Sequence, residues 1–149
     1  MPKHRLLVMC CIWVAAGCGS SAYVVVPAQP AGQRVPVDAL VEAHPLADGQ
    51  NIRVVELWRD GTAMSCHFVQ VRDRESPHIH ARHDLAVTVL QGSGELFLNG
   101  QPLTMRDGDA AIVPRGTAHY FVNRGTSPAV AFVTFAPAFD GADQVPVTP

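Results

Sequence analysis

The feature that most constrains the fold is a series of short β-type segments between Ile52 and Phe135, separated by turn signals. Each segment is rich in apolar and β-branched residues, which favour strands. The predicted strands cover residues 52–58, 63–72, 85–90, 95–98, 103–105, 110–113, 119–122 and 130–135. Asn99-Gly100 is the strongest hairpin signal between them. Short strands at this regular spacing predict an all-β sandwich or barrel.

The flanking segments are less regular than this series. Residues 19–36 are mostly Ser, Ala, Val, Pro, Gly and Gln without a helical period, which predicts a flexible tether. Within it, residues 23–26 are an alternative strand that would join the sheet. Residues 37–41 fit a short strand or a turn of helix equally well, and the tail after Ala136 is irregular and can wrap an edge. We therefore predict one domain over residues 37–149.

The first residues have the pattern of a targeting signal. A short basic segment, residues 1–5, precedes an apolar segment, residues 6–16, that is too short to span a bilayer. Small residues then stand directly before Cys18. This resembles the signal of bacterial lipoproteins, which implies that residues 1–18 are a signal peptide and that Cys18 carries the lipid. The chain would then be anchored to a membrane of the cell envelope, outside the cytoplasm. An ordinary secretory signal is the alternative.

Composition excludes one class of partner. The chain has 149 residues, 48% of them hydrophobic, which is enough for a sizeable core. Its formal net charge is −2, and it contains no run of basic residues. These properties argue against nucleic acid as a partner.

Three histidines indicate a metal site. His78 and His80 point to the same side if they lie in a strand, because side chains alternate between the faces of a strand. Neutral imidazole is the commonest protein ligand for a transition metal. Since a metal site needs further ligands from elsewhere in the chain, His119 is the natural candidate for a third.

The residues around His119 resemble the second motif of the cupins. That motif is Gly, five residues, Pro-x-Gly, two residues, His, three residues, Asn, and Gly108, Pro114, Gly116, His119 and Asn123 fit it at every position. The resemblance implies a double-stranded β-helix, or jelly-roll barrel, with His119 pointing inward. It also implies a metal in the mouth of the barrel with a small pocket above it.

The first cupin motif fits less well. His78, His80 and Gly92 stand at matching positions, but the usual glutamate is missing. Counting back from Gly92 places Leu85 at its position, whereas counting forward from His80 places Asp84 there. The carboxylate ligand of the family therefore has no direct equivalent here.

Strand alternation suggests a substitute for that ligand. If Leu85 faces inward then so does His83, whereas Asp84 faces outward unless a bulge intervenes. We therefore predict His83 as the fourth metal ligand, after His78, His80 and His119, with Asp84 as the second choice. Two alternatives stay open: Asp84 could hold the second ring nitrogen of a histidine, or the three histidines could bind alone with open positions.

The predicted cofactor is one divalent transition metal ion. Imidazole-rich sites suit iron, nickel, copper and zinc, and the missing carboxylate makes manganese less favoured. The sequence does not show which of these metals the site would bind.

The leading functional hypothesis is a membrane-anchored, extracytoplasmic cupin that binds the metal and a small organic molecule. Its most concrete enzymatic form is a dioxygenase, in which open metal positions take substrate and oxygen. A binding module without turnover is the main alternative, and a structural envelope protein is the third. No residue outside the metal site is identified as catalytic, so turnover stays open. Cupins often dimerise, and the resemblance therefore allows a homodimer.

Overall fold

The structure is a computed structural model that describes residues 22–27 and 31–148. In these residues the chain forms one short helix and a succession of strands. The strands are β1 Tyr23–Val26, β2 Gln33–Pro36, β3 Ile52–Asp60, β4 Met64–Val71, β5 His78–Ile79, β6 Asp84–Gln91, β7 Ser93–Leu98, β8 Gln101–Arg106, β9 Ala110–Val113, β10 His119–Asn123, β11 Ala129–Ala136 and β12 Val145–Pro146. The helix, α1, covers Val37–Ala43.

Two five-stranded antiparallel sheets form the body of the molecule. Their strand orders are β12-β5-β10-β7-β8 and β3-β4-β11-β6-β9. From β5 onward the chain passes back and forth between the two sheets, so that each sheet contains strands distant in sequence. This is the topology of a jelly-roll barrel, and the predicted all-β fold is confirmed.

The apolar residues that predicted the strands also form the core. Val69 and Leu85 of one sheet and Leu96 and Met105 of the other are buried in a single hydrophobic cluster. The predicted turn is confirmed as well, since Asn99 and Gly100 both have positive φ angles, 49° and 81°, between β7 and β8. Side-chain alternation along each strand thus directs one face of each sheet into the barrel.

The segment before the barrel is more ordered than a tether where the structure describes it. Strands β1 and β2 pair with each other as a separate two-stranded sheet, so residues 23–26 are a strand but do not join the main sheets. Residues 37–43 are helical, which resolves the ambiguity of the sequence. Val24 and Leu40 pack with Phe68 in a second hydrophobic cluster, and this burial stabilises the hairpin and the helix against the barrel.

Residues 1–21 lie outside the described residues, and so does the predicted lipid attachment site, Cys18. Among residues 22–27 and 31–148, no helix is long and apolar enough to cross a bilayer. The domain boundary at residue 37 and the lipoprotein signal remain predictions.

The C-terminal tail crosses the edge of one sheet. β12 pairs with β5, with Val145 opposite Ile79 and Pro146 opposite His78. The sequence expectation that this irregular tail wraps an edge is therefore confirmed. Its position matters for function, because β5 carries His78, and His80 follows this strand directly.

Candidate metal centre

Three histidines meet inside the barrel. His119 on β10 lies directly opposite His78 on the neighbouring strand β5, and His80 follows immediately after β5. The ring centroids are 4.4 Å apart for His78 and His119, 5.0 Å for His78 and His80, and 5.4 Å for His80 and His119. All three side chains are buried. The structure thus brings together the three histidines that the motifs singled out.

Hydrogen bonds fix the same tautomer in all three rings. The Nδ1–H group of His78 donates to the carbonyl oxygen of Ser76 at 2.7 Å, and that of His119 donates to Thr117 at 2.9 Å. His80 Nδ1–H donates to the carbonyl oxygen of Asp143 at 2.5 Å. Because a carbonyl oxygen can only accept, each Nδ1 must bear a proton, and in the neutral form of each ring the Nε2 carries the lone pair.

The free nitrogens fit a metal ion. One ring nitrogen from each of the three histidines lies within 4.8 Å of the others. The Nε2 atoms are the ones left for a metal, since each Nδ1 is engaged. The three residues line a common cavity, so the lone pairs face a shared volume. Three converging imidazole nitrogens are a suitable donor set for a divalent transition metal.

The electrostatics of the site favour the neutral form that metal binding requires. The pKa of His119 is lowered to about 4, mainly by burial; the hydrogen bond to Thr117 opposes this shift, and the neighbouring rings of His78 and His80 add to it. Burial is also the main reason that the pKa of His80 is lowered. Both rings are therefore unprotonated at neutral pH and need not lose a proton to bind a metal.

A backbone hydrogen bond joins a turn in the second cupin motif to the first cupin motif. Gly116 has a φ angle of 78°, a left-handed conformation that glycine adopts with little strain. In this turn the N–H of Gly116 donates to the carbonyl oxygen of His80 at 2.8 Å. The glycine of one motif therefore positions the backbone of a histidine in the other.

His83 does not lie with the other three. Its Nδ1–H donates to Asp143 Oδ2 at 2.6 Å, and its Nε2 lies 3.3 Å from the carbonyl oxygen of Ala138. Both ring nitrogens face protein acceptors, and His83 groups with His80 and Asp143 rather than with His78 and His119. His83 as a fourth ligand beside these three histidines stays a prediction, and His83 forms a second group that could hold a metal ion with His80 and Asp143. Strand alternation gave the correct side of the sheet, but it did not show which groups the ring would meet there.

Asp84 also lies outside the three-histidine group. Its carboxylate is exposed and pairs with Arg115, with 2.6 Å between Oδ2 and Nη2. The hydrogen bonds from Arg115 lower the pKa of Asp84 to about 2. Asp84 therefore faces outward, as strand alternation predicted, and it neither reaches the three rings nor holds one of them.

Asp143 is the outer carboxylate that the sequence analysis missed. It is buried, and burial by itself would raise its pKa, but hydrogen bonds from His83 and from the backbone amides of Arg82 and Ala81 lower the pKa to about 2. No motif marks this residue, because its role depends on the path of the tail. An aspartate in an otherwise weakly charged tail was the available signal.

A mostly apolar cavity of about 310 Å³ adjoins the three histidines. Leu85, which stands at the cupin glutamate position when the count runs back from Gly92, is one of its lining residues. Aliphatic and aromatic side chains from both sheets form most of the wall: Ile52, Val54, Val69, Val71, Leu85, Val87, Val89, Leu96, Met105, Val113, Phe121, Ala129, Val130, Ala131, Val133, Phe135 and Phe139. Such a cavity is of the size and character that bind small organic molecules.

Glu75 and Gln144 are the polar residues on the cavity wall besides the three histidines, among the residues described. The N–H of Phe121 donates to Glu75 Oε2 at 2.8 Å, and the N–H of Glu75 donates to the carbonyl oxygen of Phe121 at 2.9 Å. Burial raises the pKa of Glu75, while His78 and the Phe121 amide act in the opposite direction. The sequence analysis missed Glu75 because its place on the wall comes from a contact with a distant strand.

The fold and the site define a class: a small jelly-roll barrel with an interior histidine cluster. The cupin domain family model matches residues 67–135. A protein of Aquifex aeolicus (strain VF5), described only as uncharacterized, is 39% identical over 99 residues, which cover 66% of this chain and 79% of that protein. Residues 67–135 therefore form a cupin domain.

Solved structures show the same architecture. KdgF from Halomonas sp. is 27% identical, with a TM-score of 0.57 over 61% of this chain and 83% of that one. The nucleoside dehydratase Pac13 of Streptomyces is 23% identical, with a TM-score of 0.56 over 65% of this chain and 78% of that one. The cupin domain of Schizosaccharomyces pombe Cnp3 is 18% identical, with a TM-score of 0.59 over 78% of this chain and 87% of that one. At the identities of the last two, the likeness shows the fold alone.

Proposed function

We propose that this protein is a cell-envelope cupin that holds one divalent transition metal beside a bound small organic molecule. The observation that carries the proposal is the common tautomer of His78, His80 and His119. Each ring donates its Nδ1–H to a backbone carbonyl, which leaves its Nε2 for a metal, and all three residues line the same cavity. Burial keeps two of these rings neutral at neutral pH, so the site is preformed for a metal.

The three histidine ligands favour some transition metals over others. Three imidazole nitrogens without a carboxylate suit iron, nickel, copper or zinc better than manganese, which prefers oxygen ligands. Leu85 stands where the family has its glutamate, and Asp84 is paired with Arg115 on the surface. His78, His80 and His119 would hold the metal, and a site with three protein ligands would have room for a substrate to bind the metal as well.

The residues that line the cavity indicate which kind of ligand can bind. Its predominantly aliphatic and aromatic lining favours a compact molecule with an apolar body. Such a ligand would direct an oxygen atom toward the three histidines. Glu75 and Gln144 offer it a hydrogen-bond acceptor and an amide on the same wall.

The enzymatic form of the proposal is a dioxygenase, in which the bound metal supplies the redox chemistry. In that reaction the three histidines would hold the metal next to the cavity, and the apolar wall would exclude water. Glu75 Oε2 is occupied by the Phe121 amide, whereas Oε1 has no donor among residues 22–27 and 31–148. Glu75 is therefore the residue placed to accept a hydrogen bond or a proton from the ligand.

The test is to purify the full chain without a histidine tag, load it with Fe(II), and measure oxygen uptake with phenols, diketones and thiols. Uptake that requires both the metal and one substrate class, and that is lost in His78→Ala, would support the dioxygenase. Tight binding of metal and ligand without uptake would instead identify a receptor without turnover. A metal that raises only the melting temperature would identify a structural site.

The cell-envelope location is a separate part of the proposal. It rests on the basic and apolar segments before Cys18 and on the small residues next to that cysteine. Cells grown with a labelled fatty acid should incorporate the label into the wild-type chain but not into Cys18→Ala. Equal labelling of both chains would exclude lipid attachment at this residue.

A further inference from the structure

We propose that residues 138–146 form a C-terminal strap that completes the metal centre, with Asp143 as its positioning residue. The inference rests on the proposed metal site and adds a part of the chain that no motif includes. The strap would fix the orientation of His80, so that the affinity for the metal depends on the docking of the tail. Asp143 would act through His80 and would not contact the metal.

The contacts of Asp143 are concentrated on one short segment, residues 80–83. Its carboxylate accepts the backbone N–H groups of Ala81 at 3.1 Å and Arg82 at 2.8 Å, and the Nδ1–H of His83 at 2.6 Å. Its backbone carbonyl accepts the Nδ1–H of His80 at 2.5 Å. The Asp143 side chain is 3% exposed, so these bonds are shielded from water. A buried carboxylate with each oxygen paired is a specific positioning device.

The strap is attached to the barrel at both ends. At its start, the N–H of Ala138 donates to the carbonyl oxygen of Thr62 at 3.0 Å. The N–H of Phe139 donates to Ser65 Oγ at 2.9 Å, and the Phe139 ring stacks on Phe135 with 4.6 Å between centroids. At its end, β12 pairs with β5, and the N–H of Val147 donates to the carbonyl oxygen of Pro77 at 3.1 Å.

His80 differs from the other two histidines in its dependence on this strap. His78 and His119 each donate to the carbonyl of a residue two positions earlier in their own segments, Ser76 and Thr117. Only His80, of the three, is held by a residue from the tail. The partner of a ligand's second ring nitrogen fixes the tautomer and ring orientation, and its loss typically weakens metal binding about 10- to 100-fold.

The strap also reaches the cavity, because Gln144 lies on the cavity wall next to Asp143 in the sequence. The same short segment therefore holds one metal ligand and closes part of the ligand site. Since binding at linked sites is reciprocal, a bound metal should in turn stabilise the docked strap.

The experiment compares Asp143→Ala with Asp140→Ala in the untagged full chain. Asp140 lies in the same strap, and its carboxylate also pairs with Arg82, through Nη2, and accepts the Ala142 N–H. This ion pair is exposed and therefore contributes little, and Asp140 makes no hydrogen bond to His80. Alanine at position 143 keeps the backbone carbonyl that accepts from His80, but it loses the carboxylate bonds to residues 81–83 that hold this carbonyl in place. We therefore expect Asp143→Ala to undock the strap and to weaken Zn(II) binding about 10- to 100-fold, and Asp140→Ala to leave the binding unchanged. Nitrogen-15 NMR of the metal-free proteins should show that His80 loses its Nδ1–H tautomer in Asp143→Ala while His78 and His119 keep theirs. Wild-type Zn(II) affinity in Asp143→Ala, or an unchanged His80 tautomer, would overturn the inference.

A second measurement needs no variant and covers the case in which Asp143→Ala fails to fold. Hydrogen exchange at the amides of Ala81, Arg82 and Val147 should slow in the wild-type chain when Zn(II) is added. Exchange that does not change on loading would overturn the coupling. A wild-type chain that binds no Zn(II) would instead defeat the proposed function, and the tautomer measurement on metal-free protein would still test the strap.

Discussion

The backbone N–H of Gly116 donates to the carbonyl oxygen of His80, with 2.8 Å between the two atoms. This single bond joins the turn before His119 to the segment that carries His80. The two halves of the histidine cluster therefore share a backbone contact as well as a cavity. The positive φ of Gly116, rather than the bond itself, is the reason that a glycine stands at this position of the second cupin motif.

Replacing Gly116 with alanine should weaken the site through the backbone. The φ angle of 78° is unfavourable for a residue with a Cβ, at about 1–2 kcal/mol. No atom lies within 4 Å of a Cβ built at Gly116, so strain is the main effect. We expect a lower free energy of unfolding in urea and a weaker affinity for Zn(II).

Gly61→Ala is the matched control for this variant. Gly61 also has a positive φ, 48°, and open space around a Cβ, but it lies in the turn between β3 and β4. Gly61→Ala should lower the free energy of unfolding by a comparable amount and leave the affinity for Zn(II) unchanged. Equal affinities in the two variants would contradict the coupling through Gly116.

The stability of the metal-free protein should depend on pH through His119. Its pKa is about 4 when folded, against an ordinary value of 6.5, because burial disfavours the charged ring. The stabilising contribution is therefore complete above pH 6.5 and is lost as the pH falls toward 4, since the unfolded chain takes up the proton first. This lowering of the pKa corresponds to a loss of roughly 3 kcal/mol in the free energy of unfolding at low pH. Urea denaturation in EDTA should show a shallower decline over this range for His119→Gln than for the wild type, whereas parallel curves would refute the assignment.

Asp84→Asn should leave the bound metal unchanged. Asp84 is exposed and bonded to Arg115, away from the three rings, although motif counting made it a candidate ligand. Metal analysis of Asp84→Asn beside His78→Asn should show wild-type content in the first and loss in the second. Loss of metal in both would mean that a carboxylate at this position participates after all.

Leu85→Glu should shift the metal preference. The residue lies on the cavity wall where the family has its carboxylate, so glutamate would add an oxygen ligand. Relative to Leu85→Gln, a neutral side chain of similar size, we expect stronger Mn(II) binding. Both variants should be less stable than the wild type without metal, because each buries a polar group in an apolar wall. Equal Mn(II) affinity in the two variants would show that this position does not face the metal.

Local sequence features predicted the barrel and the three histidines. Strand positions follow from β-branched runs and turn residues, and His119 follows from the fixed spacing of Gly108, Pro114, Gly116 and Asn123. Both signals are local, because each extends over only a few residues. Over such a short span the geometry of the backbone is enough to relate the sequence to the structure. His78 and His119 then meet because their strands are neighbours in one sheet.

Long-range contacts could not be predicted in the same way. Strand alternation placed His83 inside, but its partner, Asp143, comes from a tail whose path no periodic pattern defines. Glu75 reaches the cavity wall by pairing with Phe121 on a distant strand. Residues 23–26 and 37–43 are ordered by packing against Phe68 and Val130, which their own sequences do not reveal.

The most direct test of the account is the metal content of the untagged full chain, measured by mass spectrometry beside the double variant His78→Ala, His119→Ala. The account predicts close to one equivalent of a transition metal in the wild type and none above background in the variant, with both proteins folded by circular dichroism. Equal trace amounts in the two proteins would contradict it.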